Sequence, residues 1–207
     1  MSHADNALVA ADLERLYAPP SEMIVKGVLP HLLPFHRAYL DVATFFCLAS
    51  GSATGLDASP RGGPAGFVQA LDDRHVAFAD WPGNNRIASL HNITQDDRVG
   101  MLFLFPGLEV FMRINGRAAI STRAELLERL AEKERKPKCA VVVAIDEVLF
   151  HCGKAINRAG LWDEAARLDR ASVPSPGQMK AALTGGDAAA AQTMDAGYYQ
   201  SVRNNLY

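Results

Sequence analysis

The chain has 207 residues, 49% hydrophobic and 21% charged, with 21 basic and 23 acidic side chains and a net charge of −2. That length can bury a core without disulfide or metal staples, and the near-neutral balance excludes a general nucleic-acid or anionic-membrane binder, which would carry a basic excess. The three cysteines, Cys47, Cys139 and Cys152, sit in apolar runs outside any C-x-x-C pair, so a reduced, cytoplasmic compartment is expected and a disulfide framework or zinc site is not.

Residues 5–17 read as a helix with Val9, Leu13 and Leu16 on one face, ended by Pro19-Pro20. This acidic start lacks the basic opening and apolar centre of a signal peptide. No run approaches the ~18 apolar residues of a membrane helix. A second helix is expected over residues 31–41. Strand texture follows. ATFFCLAS (43–50) is a strand ended by a glycine loop at 51–55. GFVQAL (66–71) and HVAFAD (75–80) form a hairpin around Asp72-Asp73-Arg74. RVGMLFLF (98–105) is apolar on both faces, as a buried strand would be. VFMRINGRAAI (110–120) alternates: Val110, Met112, Ile114, Ala118 and Ile120 share one face, and Phe111, Arg113, Asn115 and Arg117 the other.

A T-x-x-E capping box at 122–125 opens a helix with Leu126, Leu127 and Leu130 inward, stopped at Lys136-Pro137. KCAVVVAIDEVLFHC (138–152) is the strongest strand, with a β-branched centre. Two short helical pieces follow, split by VPSPG (173–177), and an alanine-rich tail from Asp187 reads as helix. About six strands between residues 43 and 152, with mostly short connections, predict a mainly β fold: one antiparallel barrel domain with peripheral helices.

Four stretches carry candidate chemistry. In DWPGNNR (80–86), Asn84 suits a helix N-cap, and Arg86 in the first turn has the wrong charge for the helix dipole unless an anion lies between them. The bland alternative is a capped helix with a solvated arginine. In ASPRGGPAGFV (58–68), Arg61 sits among glycines that permit close approach to a ligand, or that simply make a flexible hairpin loop. On RINGR (113–117), Arg113 and Asn115 project from one strand face, toward solvent or over a ligand. In HCGKAINRAGLWDE (151–164), Lys154 and Arg158 share a helix face with Trp162 close behind, either a basic helix end or one wall of a site for a planar anion.

Other chemistries lack their residues. There is no G-x-S-x-G elbow, no H-E-x-x-H, no G-x-G-x-x-G in a βαβ unit and no Gly-Lys-Ser/Thr phosphate loop. Asp146-Glu147, adjacent on a strand, points to opposite faces and does not suit a paired acid–base role.

In their order, SPRGGP, DWPGNNRIASLHNI, RVGMLFLFPG, RINGRA and HCGKAINRAGLWD resemble the FMN-binding split-barrel flavoproteins related to pyridoxamine 5'-phosphate oxidase, over roughly residues 30–180. The resemblance implies a six-stranded split barrel that forms a homodimer with FMN in a groove at the subunit interface. By it, Ser59, Pro60, Arg61 and Gly62 line the flavin ring and ribityl chain. Ala79, Asp80, Asn85 and Arg86 lead to the phosphate, which Arg86 holds. Arg113 and Asn115 face flavin or substrate, and Lys154, Arg158 and Trp162 come from the other subunit. The implied activity is an FMN-dependent oxidoreductase acting on a small molecule. That chemistry needs no protein nucleophile or metal. A non-catalytic carrier of flavin, haem or tetrapyrrole, or a deazaflavin-dependent reductase, stays open on the same fold. Authentic pyridoxamine phosphate oxidases end in Arg-Leu-x-Pro, whereas this chain reads Arg203-Asn204-Asn205-Leu206-Tyr207, a departure from the pattern that accompanies the vitamin B6 phosphate substrate.

Overall fold

The computed structural model describes residues 8–206. The start of the helix expected over 5–17, and Tyr207, lie outside them. Seven strands form one sheet: β1 (Phe45–Ser52), β2 (Gly55–Gly62), β3 (Val68–Ala70), β4 (His75–Asp80), β5 (Arg98–Leu104), β6 (Val110–Ser121) and β7 (Cys139–Cys152). Their order is β2-β1-β5-β6-β7-β4-β3, and every neighbouring pair is antiparallel. The helices are α1 (Ala10–Leu16), α2 (Glu22–Lys26), α3 (Pro34–Val42), α4 (Ala88–Gln95), α5 (Ala124–Arg129), α6 (Lys154–Ala159), α7 (Pro176–Thr184) and α8 (Ala188–Asn204).

The inward residues of β1 and β3–β7 meet in one core, including Phe46, Leu48, Val68, Phe78, Met101, Phe103, Met112, Ile114, Val143 and Val148. Phe46 is its hub, with ring centroids 5.0 Å from Phe78 and 5.1 Å from Phe103. A sheet in which β1, second in order, shares its core with β3 at the far end has curled around it. Because β2 and β3 do not pair, the barrel is split. α3 closes one end: Leu40 and His36 are buried, and the His36 ring stacks on Phe150 at 5.3 Å. α5 covers β4 and β7 from outside through Leu126, Leu130, Ala77 and Ala140.

Several expectations change. The fold class stands, but the strands number seven rather than six. β2, expected as a loop and the start of a strand, pairs with β1 along its whole length. β5 is buried on one face only: Val99, Met101 and Phe103 point inward, while Leu102 is exposed. No capping box forms at 122–125, because α5 starts later and the Ser121 hydroxyl accepts from the Arg123 N–H instead. α1 keeps the expected periodicity, yet Val9, Leu13 and Leu16 are exposed. The 173–177 break is itself a helix start: Ser175 caps α7 by accepting from the Gln178 N–H, with Pro176 at the first helical position. The tail helix begins where expected, capped by Asp187.

A bulge between Asn115 and Gly116 brings the β6 backbone against β7, where a Cβ on Gly116 would lie 2.1 Å from the Ala144 carbonyl oxygen. Gly116→Ala should therefore lower stability by ~1–3 kcal/mol, read as a lower urea midpoint with an unchanged slope. His36 Nδ1 accepts from the Leu33 N–H at 2.9 Å, so the neutral ring is the one that fits. Burial, with His31 nearby, holds its pKa below 6.5. The unfolded chain then takes up the proton first, and stability is full above pH 6.5 and falls as pH drops below it. His151, also depressed by burial and Arg113, adds in the same sense. The loss between pH 7 and pH 5.5 should shrink in His36→Asn, as urea unfolding at the two pH values will show.

Candidate functional site

β2 and the 81–87 loop form the walls of the main groove, a space of about 1810 Å³. β2 is an edge strand, the place where a sheet tolerates Pro60. Arg61 lies back along it. Its Nη1 donates to the Ser59 hydroxyl at 2.5 Å and to the Pro60 carbonyl at 3.0 Å, and its Nη2 donates to the Ser89 hydroxyl at 3.3 Å. Ser89, buried in the first turn of α4, donates in turn to the Asp57 carboxylate at 2.5 Å. This chain of bonds ties the edge strand to α4. It leaves the Arg61 Nε buried without a partner. Of the glycines after Arg61, Gly63 is required by packing rather than by a ligand: a Cβ there would meet the Phe67 side chain at 2.7 Å.

The 80–86 stretch differs from the expected helix start. The Asn84 side chain accepts from the Arg86 N–H two residues on, at 2.9 Å, and Asn85 takes a left-handed conformation with φ of 58°. These turns delay α4 to Ala88, so Asn84 is not its N-cap and Arg86 precedes the first helical turn. Arg86 is exposed, and its guanidinium makes no hydrogen bond or ion pair among the described residues. Asp80 ends β4 inside the groove. Burial raises its pKa against the pull of Arg61 and Lys138, so the groove holds this carboxylate less readily charged than solvent would. Lys133, Arg135, Lys138, Asn204 and Leu206 also line the groove.

The structure thus brings together Ser59, Pro60, Arg61, Gly62, Ala79, Asp80, Asn85 and Arg86. It does not bring Arg113, Asn115, Lys154, Arg158 or Trp162 to this groove. Arg113 and Asn115 lie on the outer face of β6, where both donate to Glu147 Oε1 on β7, at 3.3 Å and 2.6 Å. Lys154 and Arg158 are exposed on α6, and the Trp162 indole donates to the Leu108 carbonyl at 2.9 Å. Asp57, Ser89 and Glu147 were not expected at any site. Ser89 stood inside the DWPGNNRIASLHNI run, but nothing local marked its bonding role.

The family model described as pyridoxamine 5'-phosphate oxidase matches residues 32–152, more than half of the chain and all seven strands. The chain belongs to the pyridoxamine 5'-phosphate oxidase family. The match stops at Cys152, so α6–α8 lie beyond it. No curated protein matches the chain. Similar solved structures include Group A Streptococcus HupZ, 19% identical over 57% of this chain and 98% of that one, with a TM-score of 0.44. An FMN-binding protein from Syntrophomonas wolfei is 12% identical over 55% and 82%, with a TM-score of 0.43. A FAD-binding protein from Mesorhizobium loti is 14% identical over 59% and 96%, with a TM-score of 0.40. No helix among the described residues is long and apolar enough to cross a membrane.

Ser89→Ala removes the hydroxyl shared by Arg61 and Asp57 and leaves two charged groups short of a partner. It should cost ~1–3 kcal/mol and raise proteolysis within β2, whereas Ser59→Ala, which leaves the Ser89 link intact, should cost less. Equal urea midpoints for the two variants would remove Ser89 from its bridging role.

Proposed function

We propose that this chain binds FMN in the groove and serves as an oxidoreductase for a small molecule. Family membership supports the reading, and one observation carries it: the groove presents cationic donors that the protein itself does not use. Arg86 brings an unengaged guanidinium on an exposed loop, and Arg61 a buried Nε without a partner. A guanidinium has five N–H donors in a fork that matches a phosphate. An FMN phosphate would accept what Arg86 offers.

The residues fit the group. Arg86 and Asn85 would hold the phosphate. Ser59, Pro60, Arg61 and Gly62 would run beside the ribityl chain and ring, with Ala79 and Asp80 on the facing strand. At about 1810 Å³ the groove exceeds the ~300–1,000 Å³ of common small-ligand pockets, which leaves space for a substrate beside the cofactor. When bound, FMN supplies the hydride or electron transfer. The chain's part is to anchor and orient. Ser89 and Asp57 keep the Arg61 side chain from swinging into solvent.

The same reading makes the protein a homodimer. The outer face of β1, β5 and β6 leaves Ala49 and Leu102 uncovered around the half-buried cluster of Arg113, Asn115 and Glu147, and a second copy covers it. Lys154, Arg158 and Trp162, absent from their own groove, then serve the partner's.

The visible spectrum of the purified protein, before and after addition of FMN, tests the cofactor. A protein that is colourless and takes up no FMN would overturn the reading. Arg86→Ala should weaken FMN binding by ~1.5–3 kcal/mol, the range for bonds to charged groups, or at least about tenfold in Kd. Unchanged affinity would remove Arg86 from the phosphate.

A further inference from the structure

The groove is lined by residues far apart in the chain, and two come from outside the segment that the family model matches: Asn204 and Leu206. Asn204 is the last residue of α8, and Leu206 follows it. The path that brings them there is built with care. α7 and α8 pack mainly on each other. At their crossing, a Cβ on Gly177 would lie 2.1 Å from the Ala191 carbonyl oxygen, so the two backbones approach as closely as glycine permits.

Asp195 of α8 also caps the start of α7, accepting from the Gly177 N–H at 2.6 Å and from the Ser175 hydroxyl at 2.5 Å. Farther along, Arg170 lies 4.8 Å over the Tyr199 ring and Lys180 lies 5.4 Å over Tyr198. These contacts fix α8 relative to α7, and α8 ends where Asn204 and Leu206 join the groove lining. There Leu206 is 61% exposed, an apolar side chain beside an open space.

We propose that Asn204 and Leu206 are ligand-contacting residues of the groove, delivered to its mouth by the α7–α8 hairpin, which acts as a clamp on the bound molecule. Asn204 offers an amide to a polar group of the ligand, and Leu206 covers an apolar part of it and shields it from water. With FMN as the ligand this rests on the function proposed above. The clamp itself requires only that the rim residues restrain the 81–87 loop and whatever lies behind it.

Two full-length variants test it, Leu206→Asp and the double variant Asn204→Ala with Leu206→Ala. Both alter exposed positions, so the fold should persist, with an unchanged unfolding midpoint as the control. FMN release, followed by recovery of flavin fluorescence, should be roughly tenfold faster in both variants, with little change in association rate. Bound FMN with unchanged release kinetics would overturn the proposal. If the parent protein takes up no FMN, the cofactor reading fails and hydrogen exchange of the ligand-free chains decides the clamp. Faster exchange across residues 81–88 in both variants upholds it, and identical exchange removes it.

Discussion

The groove exists because the edge of the sheet beyond β2 is held by side chains rather than by another strand. β2 has β1 on one side and none on the other, and its run of Gly, Asp, Ser and Pro has little intrinsic preference for extended structure. The link from Arg61 to Ser89 to Asp57 joins it to α4, and α4 in turn reaches β1 through Asn92, which donates to the Ser50 hydroxyl at 3.2 Å. With that edge fixed, the 81–87 loop has a stationary wall to face, and the barrel can stay open where ordinary pairing would have closed it. The opening in the barrel and part of its polar lining are therefore linked: Asp57, Ser59 and Arg61, which help hold the edge, also line the gap.

Most of the sheet was legible in the sequence, for a definite reason. β4, β6 and β7 are strands whose inward residues are apolar, in β4 and β7 mostly β-branched or aromatic, and such strands declare themselves by alternation or by length. β2 did not. GLDASPRG contains five residues that favour turns, and only the register with β1, residue by residue from Gly62 opposite Phe45 to Gly55 opposite Ser52, makes it a strand. Tertiary pairing overrode local preference. The 80–86 stretch failed differently. Asn84 has the chemistry of a cap, but its side chain found the Arg86 N–H first, and the left-handed Asn85 moved the helix start downstream.

At the site, the gathering of Arg61 with Asn85 and Arg86 followed from the family resemblance rather than from periodicity. Their partners could not be read. Ser89 and Asp57 are 32 residues apart and meet only through the curl of the sheet. Glu147 faces Asn115 because a bulge resets the register between β6 and β7 at that point, and no spacing rule anticipates an offset of one residue. The outer-face cluster also shows that a polar strand face need not be solvated. Arg113 and Asn115 both bond Glu147 across two strands, half-buried near Leu102, Phe111 and Leu149, although the Arg113 Nε stays without a partner.

Pro60 has a bearing beyond ligand binding. An unpaired strand edge is a template on which a strand of another molecule can add, and proteins blunt such edges with proline, charge or curvature. Here the exposed edge carries a residue with no N–H to offer and a side chain, Arg61, folded back along it. A gap left open beside an unpaired strand would otherwise admit polypeptide. The proline lets the edge of β2 stay open while denying a second strand the continuous ladder it needs to grow.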